Sequence, residues 1–193
     1  MCAGNYRSTF PLQLLKNTTR CDPMAVQPIL LYPDPRLKQV CTPVNVLTDS
    51  VKQTIRNLAD TFDVSPGCVG IAAPQTGCLL RIIIVDASNS KKTQKNTSVH
   101  NRIVCINPEI TQHDGTIMFR EGCLSIPDFT GNVIRHNTIT VRYLDERFTQ
   151  HEIQAHGFES VVLQHEIDHL DGILFLDRVR SFTHDVFRRK KYL

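Results

Sequence analysis

The chain has 193 residues, of which 41% are hydrophobic and 21% charged, proportions typical of a soluble globular domain. Its formal net charge of +3 is too small to indicate a DNA-binding protein. No apolar run approaches the roughly 18 residues that a membrane-spanning helix needs. Neither DNA nor a membrane is therefore expected as a partner.

The cysteines and the first residues of the chain bear on its compartment. Seven cysteines occur, an odd number, and no two have Cys-x-x-Cys spacing, which argues against a disulfide framework and favours a reducing compartment. Residues 1–21 carry three basic side chains and no acid, which weakly resembles an organelle transit peptide. We favour a disordered basic N-terminal extension over residues 1–26 and keep the transit peptide as the alternative.

In chain order, the first predicted feature is the segment 33–37, whose two prolines favour an extended or turning path. Thr48-Asp49-Ser50 can cap a helix over about 51–62, where apolar residues recur at helical spacing. Ser65-Pro66-Gly67 would end that helix. The apolar run Leu79–Asp86 then predicts a buried strand.

The second half of the chain is predicted to hold a loop, several strands and a late helix. Residues 86–101 have almost no apolar side chains and predict a long exposed loop or hairpin tip. Residues 158–170 have helical periodicity, and the basic residues 188–191 are placed on a terminal helix. This order predicts an α+β fold rather than alternating βαβ units. The further predicted strands are Arg102–Asn107, Ile117–Phe119, Asn132–Ile134 and Thr138–Leu144.

The strongest chemical signal is the segment His165-Glu166-Ile167-Asp168-His169. Helical residues four apart lie on one face, so both imidazoles can reach one metal ion. Glu166 lies one step round the helix, where it can take a proton from a water on the metal rather than act as a ligand. The alternative is an incidental pair of histidines, although two unpaired histidines on an otherwise apolar face would be costly to bury.

A catalytic metal site usually has three protein ligands and one open position, so a third ligand is needed. No Glu follows His169, and Phe175 stands where an extended motif would carry a third His. Both common protease arrangements are thus excluded. His184 in the tail is a weaker candidate than a ligand upstream. Cys123 is the favoured one, because a thiolate suits a borderline divalent metal, although taken alone it would be a buried core cysteine.

Three segments together resemble the peptide deformylase family. They read CVGIAAPQ at 68–75, EGCLS at 121–125 and HEIDH at 165–169. The family motifs are Gly-x-Gly-x-Ala-Ala-x-Gln, Glu-Gly-Cys-x-Ser and His-Glu-x-x-His, in that order. The resemblance covers about residues 28–180 and departs at Cys68, which replaces the family's first Gly.

The resemblance implies antiparallel or mixed sheets around a central metal-binding helix, in a metallohydrolase catalytic domain over residues 27–182 with a short basic tail over residues 183–193. It implies a hydrolase that removes the formyl group from the N-terminal formylmethionine of nascent polypeptides and releases formate. The cofactor would be one divalent metal ion, Fe²⁺ in the first place, with Zn²⁺, Ni²⁺ or Co²⁺ able to substitute. A monomer in the bacterial cytoplasm is expected, or in an organelle if residues 1–21 are a transit peptide.

The resemblance also implies roles for single residues. Glu166 would be the general base, and the Gln75 side chain and the Leu124 backbone N–H would hold the oxyanion. An ion pair of Glu121 with Arg135 would position the segment 121–125. The implied metal ligands are Cys123, His165 and His169.

Two groups of residues are expected to bind the peptide substrate. Backbone groups in two loops could pair with an extended peptide as an added strand; these belong to Val69, Gly70 and Gly122. Side chains on the His165 face of the late helix are candidates for the wall of a methionine pocket, or else ordinary core residues; these are Phe158, Val161 and Val162.

Other classes of function are left open. A different metallohydrolase, such as a peptidase, would cleave unformylated peptides, but the missing downstream ligand argues against it. A catalytically weak homologue would bind metal and peptide yet release little formate, and Cys68 motivates that reading. The basic residues 188–191 could make a transient contact with ribosomal RNA, or be a solvated helix end that complements the helix dipole.

Overall fold

The computed structural model describes residues 25–93 and 99–189. The predicted extension over 1–26 therefore lies almost entirely outside the described residues, as do 94–98 of the predicted loop and 190–193 of the basic end. No helix in the described part of the chain combines the length and apolar character needed to cross a membrane.

The regular elements are α1 (Asp49–Val64), α2 (Gly157–Leu170) and the short helices α3 (Phe175–Arg178) and α4 (Phe182–Asp185), with single 3₁₀ turns at Pro35–Lys38 and Ala73–Thr76. The strands are β1 (Gly70–Ala72), β2 (Ile82–Val85), β3 (Ile103–Asp114), β4 (Ile117–Cys123), β5 (Ile126–Arg135), β6 (Thr138–Leu144), β7 (Gln150–His156) and β8 (Val186–Arg188). The predicted α+β class is confirmed.

The strands form two antiparallel sheets. The larger has the order β1-β2-β3-β6-β7 and the smaller the order β4-β5-β8. Because strand side chains alternate, β2 faces two cores: Ile82 and Ile84 pack with α1, whereas Ile83 and Val85 pack with α2. The larger sheet therefore lies between the two long helices, and α2 lies between the two sheets.

Helix α1 begins where the capping signal predicted. The Thr48 hydroxyl accepts a hydrogen bond from the Val51 N–H, and one apolar face of the helix is buried. Such a cap satisfies one of the N–H groups left without an intrahelical partner at a helix start. The helix covers the predicted range and continues to Val64.

Helix α2 differs, because every residue from Glu159 to Leu170 is buried. Its apolar side chains pack on the larger sheet, whereas its polar side chains are buried against several elements, among them β1 beside Glu166 and β5 beside Asp168. A buried polar group is costly unless it has a partner, and those partners define the site described below.

The sequence pattern does not predict strands β1, β7 and β8, and the helix that it predicts at the basic end is wrong where the structure describes that end. The three-residue strands β1 and β8 give too little pattern, and β7 is an edge strand whose only buried residue is Ala155. The terminal helix is wrong at Arg188, which lies in β8 and pairs with Phe129 of β5. Backbone pairing with an exposed sheet edge replaces helix formation there. The domain boundary at 182/183 stays a prediction.

A glycine after α2 fixes how that helix meets the N-terminal segment. Gly172 has φ +69°, and a Cβ on it would stand 2.6 Å from the Lys38 carbonyl oxygen. Substitution by alanine combines left-handed strain with a backbone clash. We expect Gly172→Ala to lower the free energy of unfolding by about 3 kcal/mol or more in urea denaturation.

Gly157→Ala is the matched control. Gly157 has φ +56° but nothing within 4 Å of its would-be Cβ, so only the conformational cost of about 1–2 kcal/mol applies. Equal losses in both variants would show that the Lys38 segment yields to the added methyl group.

Candidate metal centre

Three side chains that could ligate a metal ion meet between α2 and the smaller sheet. Cys123 ends β4, and His165 and His169 lie one turn apart on α2. The Cys123 Sγ is 3.3 Å from His169 Nε2, and one ligand atom from each residue lies within 4.8 Å of the others. The three residues predicted from separate segments are thus brought together.

Local backbone geometry places Cys123 at this point. The pairing of β4 with β5 shifts register between Gly122 and Cys123. A shift of this kind bends a strand and re-aims the side chain that follows it. Glu121 and Cys123 are both buried while Gly122 between them is exposed, so the carboxylate and the thiol lie on the same face of β4 and contact the two imidazoles.

The donor set suits a borderline divalent cation. Burial alone would raise the pKa of the Cys123 thiol, but the charge of His169 and the hydrogen bonds from both imidazoles hold that pKa well below its usual value. His169 Nδ1 and Glu166 Oε2 are buried and have no hydrogen-bond partner among the residues that the structure describes. A thiolate next to unsatisfied polar atoms is an environment that a bound cation would stabilise.

A carboxylate orients His165. Its Nδ1 lies 2.7 Å from Glu121 Oε2, which leaves Nε2 for the cluster. Partners of this kind fix the orientation of ligand imidazoles. Burial opposes ionisation of Glu121, yet the hydrogen bonds from His165 and Arg135 lower its pKa to about 2.

Arg135 at the end of β5 joins the two halves of the site. Its guanidinium donates to both oxygens of Glu121, at 2.7 and 3.0 Å, and also to Asp168 of α2. Asp168 accepts two further hydrogen bonds from Arg178. The predicted pair of Glu121 and Arg135 is therefore present, within a network that the sequence did not reveal.

Glu166 lies beside the cluster and faces β1. A Cβ on Gly70 would collide with its carboxylate, so the strand can approach only because residue 70 is a glycine. Burial is the main cause that raises the pKa of Glu166 to about 7.

Gln75 approaches the cluster from the 3₁₀ turn after β1. Its Nε2 donates to Cys123 Sγ at 3.4 Å and to Ser125 Oγ at 3.2 Å, while its Oε1 accepts the Ala72 N–H at 2.9 Å. Both ends of the amide are therefore fixed, and its N–H₂ group points toward the thiol.

A cavity of about 590 Å³ opens beside these groups. Its wall includes Gln75, Cys123, His165 and Glu166, and Leu124 lies in the turn between β4 and β5 that borders it. The residues predicted to bind peptide all line it as well, namely Val69, Gly70, Gly122, Phe158, Val161 and Val162.

Cys68 does not distort the loop before β1. The left-handed φ of +69° is taken by Gly67, one residue earlier, and Cys68 is not among the described residues with positive φ. Its thiol hydrogen-bonds the Gly70 carbonyl at 3.1 Å. The departure from the family motif thus keeps a glycine where the backbone needs one.

Several site residues were missed by the sequence reasoning. Ser125 and Asp168 lie inside the sequence motifs and are buried. Their burial depends on which face of the strand turn and of the helix they occupy, and the motifs alone do not show that face. Lys92 and Arg189 also line the cavity. They come from the predicted exposed loop and the basic end, segments whose composition indicates only solvent exposure.

An α+β fold with a buried Cys/His/His cluster and an adjacent carboxylate is the arrangement of a metal-dependent hydrolase. The sequence model of the polypeptide deformylase family matches residues 26–185. The chain belongs to this peptide deformylase family.

Relatives and solved structures agree with this. The chain is 41% identical over 167 residues to the peptide deformylase of Syntrophobacter fumaroxidans, covering 86% of this chain and 94% of the relative. It superposes on the Legionella pneumophila peptide deformylase with a TM-score of 0.72 at 38% identity, covering 82% and 88% of the two chains. The Met-Ala-Ser-bound class I type b enzyme of Acinetobacter baumannii gives 0.73 at 32%, covering 81% and 99%.

We expect Arg135→Ala to unfold more easily, because it leaves Glu121 and Asp168 buried without their shared cation. Removing one partner of a buried ion pair typically costs about 3–5 kcal/mol. Urea denaturation measures that loss. Metal analysis after dialysis should show weaker metal retention, because Glu121, which orients His165, is no longer held by Arg135.

Arg142→Ala serves as the control, because Arg142 pairs with Glu109 on the exposed face of the larger sheet. It should leave both stability and metal retention almost unchanged. If Arg135→Ala behaves like Arg142→Ala, the network does not position the segment 121–125.

Proposed function

We propose that this chain uses one divalent metal ion to hydrolyse the formyl group from N-formylmethionyl peptides and releases formate. The observation that carries the proposal is the convergence of Cys123, His165 and His169 next to Glu166, in a member of the peptide deformylase family. The substrates are the N-termini of nascent chains.

The proposed ligands are the Cys123 thiolate and the imidazoles of His165 and His169. A divalent ion held there would act as a Lewis acid toward water and the formyl carbonyl. We propose Fe²⁺ as the native ion, with Zn²⁺, Ni²⁺ or Co²⁺ able to substitute, because this donor set accepts several borderline metals.

Glu166 moves the proton. Its carboxylate takes a proton from the attacking water as the new carbon–oxygen bond forms, then gives it to the amine as the carbon–nitrogen bond breaks. The products are formate and a peptide with a free N-terminus. Burial among the cavity residues keeps bulk water from competing for that carboxylate.

The Gln75 amide and the Leu124 backbone N–H stabilise the negative charge on the formyl oxygen as water adds to the carbonyl carbon. Gln75 suits this role because Ala72 and Ser125 hold its amide in place. A donor that is already oriented needs no reorganisation at the moment of reaction.

The lining of the cavity supports formylmethionyl peptides as the substrate. The methionine side chain packs against Phe158, Val161 and Val162, which lie on the cavity wall. The peptide backbone pairs with Val69, Gly70 and Gly122 as an added strand. A formyl carbon carries only hydrogen, so a tight site excludes acetyl groups by size.

The wider setting is also proposed. The protein acts as a monomer in the bacterial cytoplasm, in a reducing environment, where it meets nascent chains and touches the ribosome only transiently. The described cysteines are free thiols, which fits such a compartment.

Glu166→Gln should lower kcat for formate release from a formyl-Met peptide by about 10²–10⁴-fold, while the metal content stays the same. The amide has nearly the size of the carboxylate but cannot take the proton. Formate release and metal stoichiometry are measured on the same anaerobic preparation, with Glu152→Gln on the exposed β7 edge as the control. Undiminished activity in Glu166→Gln would remove Glu166 from the reaction.

Gln75→Leu should lower kcat by about 10²–10³-fold with little change in KM, as removal of one oxyanion donor typically does. Steady-state kinetics separate the two constants. The control is Gln53→Leu, since Gln53 lies on the far helix α1. A rise in KM at constant kcat would instead make Gln75 a substrate-binding residue.

A further inference from the structure

Three cationic side chains line the cavity in addition to the proposed catalytic groups. Lys92 comes from the loop after β2, Arg120 from β4 and Arg189 from the residue after β8. None of them belongs to an ion pair among residues 25–93 and 99–189. The carboxylates on the same wall are Glu121, already engaged, and Glu166.

Arg120 is occupied by neighbouring groups. Its guanidinium lies 3.8 Å from the ring centroid of Phe187, and its Nε donates to Thr130 Oγ1 at 3.0 Å. It therefore links β4 to β5 and β8 within the smaller sheet, and its guanidinium is engaged there.

Lys92 is held over the apolar wall of the cavity. Its Nζ lies 5.2 Å from the centroid of Phe119 and 5.5 Å from that of Phe158, which stack on each other. It donates one hydrogen bond, to the Arg120 carbonyl at 3.5 Å. An ammonium has three donors, so cation–π contacts fix its place while most of its hydrogen-bonding capacity is unused.

Arg189 lies against Gly122, the residue before Cys123. Its backbone N–H donates to the Asp128 carbonyl at 2.7 Å, which continues the pairing of β8 with β5. Its guanidinium occupies the space where a Cβ on Gly122 would stand. Burial and then the charge of Arg189 lower the pKa of Lys92, so the two cations repel each other.

We propose that Lys92 and Arg189 form an acid-selecting rim that favours peptides with Asp or Glu as the second or third residue. This inference rests on the proposed function and adds a substrate preference to it. Two cations in the lining of one cavity repel each other, and a carboxylate that enters the cavity relieves that repulsion. Since both side chains line the cavity that contains Glu166 and Cys123, the peptide substrate is the favoured source of the carboxylate.

The test compares peptides that differ only in one charge. Formyl-Met-Ala-Glu-amide and formyl-Met-Glu-Ala-amide are each paired with the peptide that has Gln in place of Glu. At low ionic strength we expect kcat/KM to be about three- to tenfold higher for at least one Glu peptide than for its Gln partner. The ratio should fall toward one as salt is raised. Lys92→Gln and Arg189→Gln should each lower it, and the double variant should abolish it.

Neighbouring cations supply matched controls. Lys91 and Arg188 are exposed and do not line the cavity, so Lys91→Gln and Arg188→Gln remove the same net charge and should keep the ratio. A wild-type ratio near one overturns the proposal, as does an equal fall in the control variants. Lys92→Gln and Arg189→Gln could instead bind ribosomal RNA more weakly than the wild type while keeping its ratio of kcat/KM for Glu over Gln peptides. That result would overturn the proposal and assign the two cations to RNA binding.

Binding of the deformylated peptides separates this inference from the proposed function. Calorimetry with Met-Ala-Glu-amide, Met-Glu-Ala-amide and their Gln partners should show the same preference without any reaction. If no formate is released from any formyl peptide but the Glu peptides bind more tightly, the proposed function fails and the rim stands. Equal binding with normal formate release removes the rim and leaves the function.

Discussion

The buried charge network around Arg135 is the constraint on which the site depends. Cys123 belongs to the smaller sheet and both histidines belong to α2, and Arg135 joins these elements through Glu121 and Asp168. Leaving an ionised carboxylate buried without its partner typically costs about 3–5 kcal/mol. The sheet and the helix can therefore pack closely here only if the guanidinium sits between them, and that packing brings thiol and imidazoles within reach of one another.

Glycines make the remaining close approaches possible. At Gly70 the β1 backbone passes so near Glu166 that any side chain would collide with it, and at Gly122 the guanidinium of Arg189 fills the corresponding space. Both glycines line the cavity, Gly70 from β1 and Gly122 from β4. Each glycine thus lets a charged side chain lie directly against the strand backbone.

The sequence predicts the parts of this molecule that depend on local pattern. The cap and apolar face of α1, the bounds of β6 and the helical pairing of His165 with His169 all follow from spacing within a few turns or strands. β7 was missed because an edge strand buries too little to impose alternation. The contact of Arg135 with Asp168 spans 33 residues, and nothing local marks which carboxylate an arginine will meet. The same holds for Arg189, whose place follows from the pairing of β8 with β5.

Charge balance connects the network to the metal site. Four acidic groups are gathered here, namely the thiol of Cys123 and the carboxylates of Glu121, Asp168 and Glu166, and the two guanidiniums that contact them belong to Arg135 and Arg178. With all four ionised, the two guanidiniums balance two of these negative charges. Of the three carboxylates, Glu166 is the one without a guanidinium partner among the described residues, since Glu121 and Asp168 are each held by one. Burial raises the pKa of that carboxyl to about 7, which supports the proposed role of Glu166 in proton transfer.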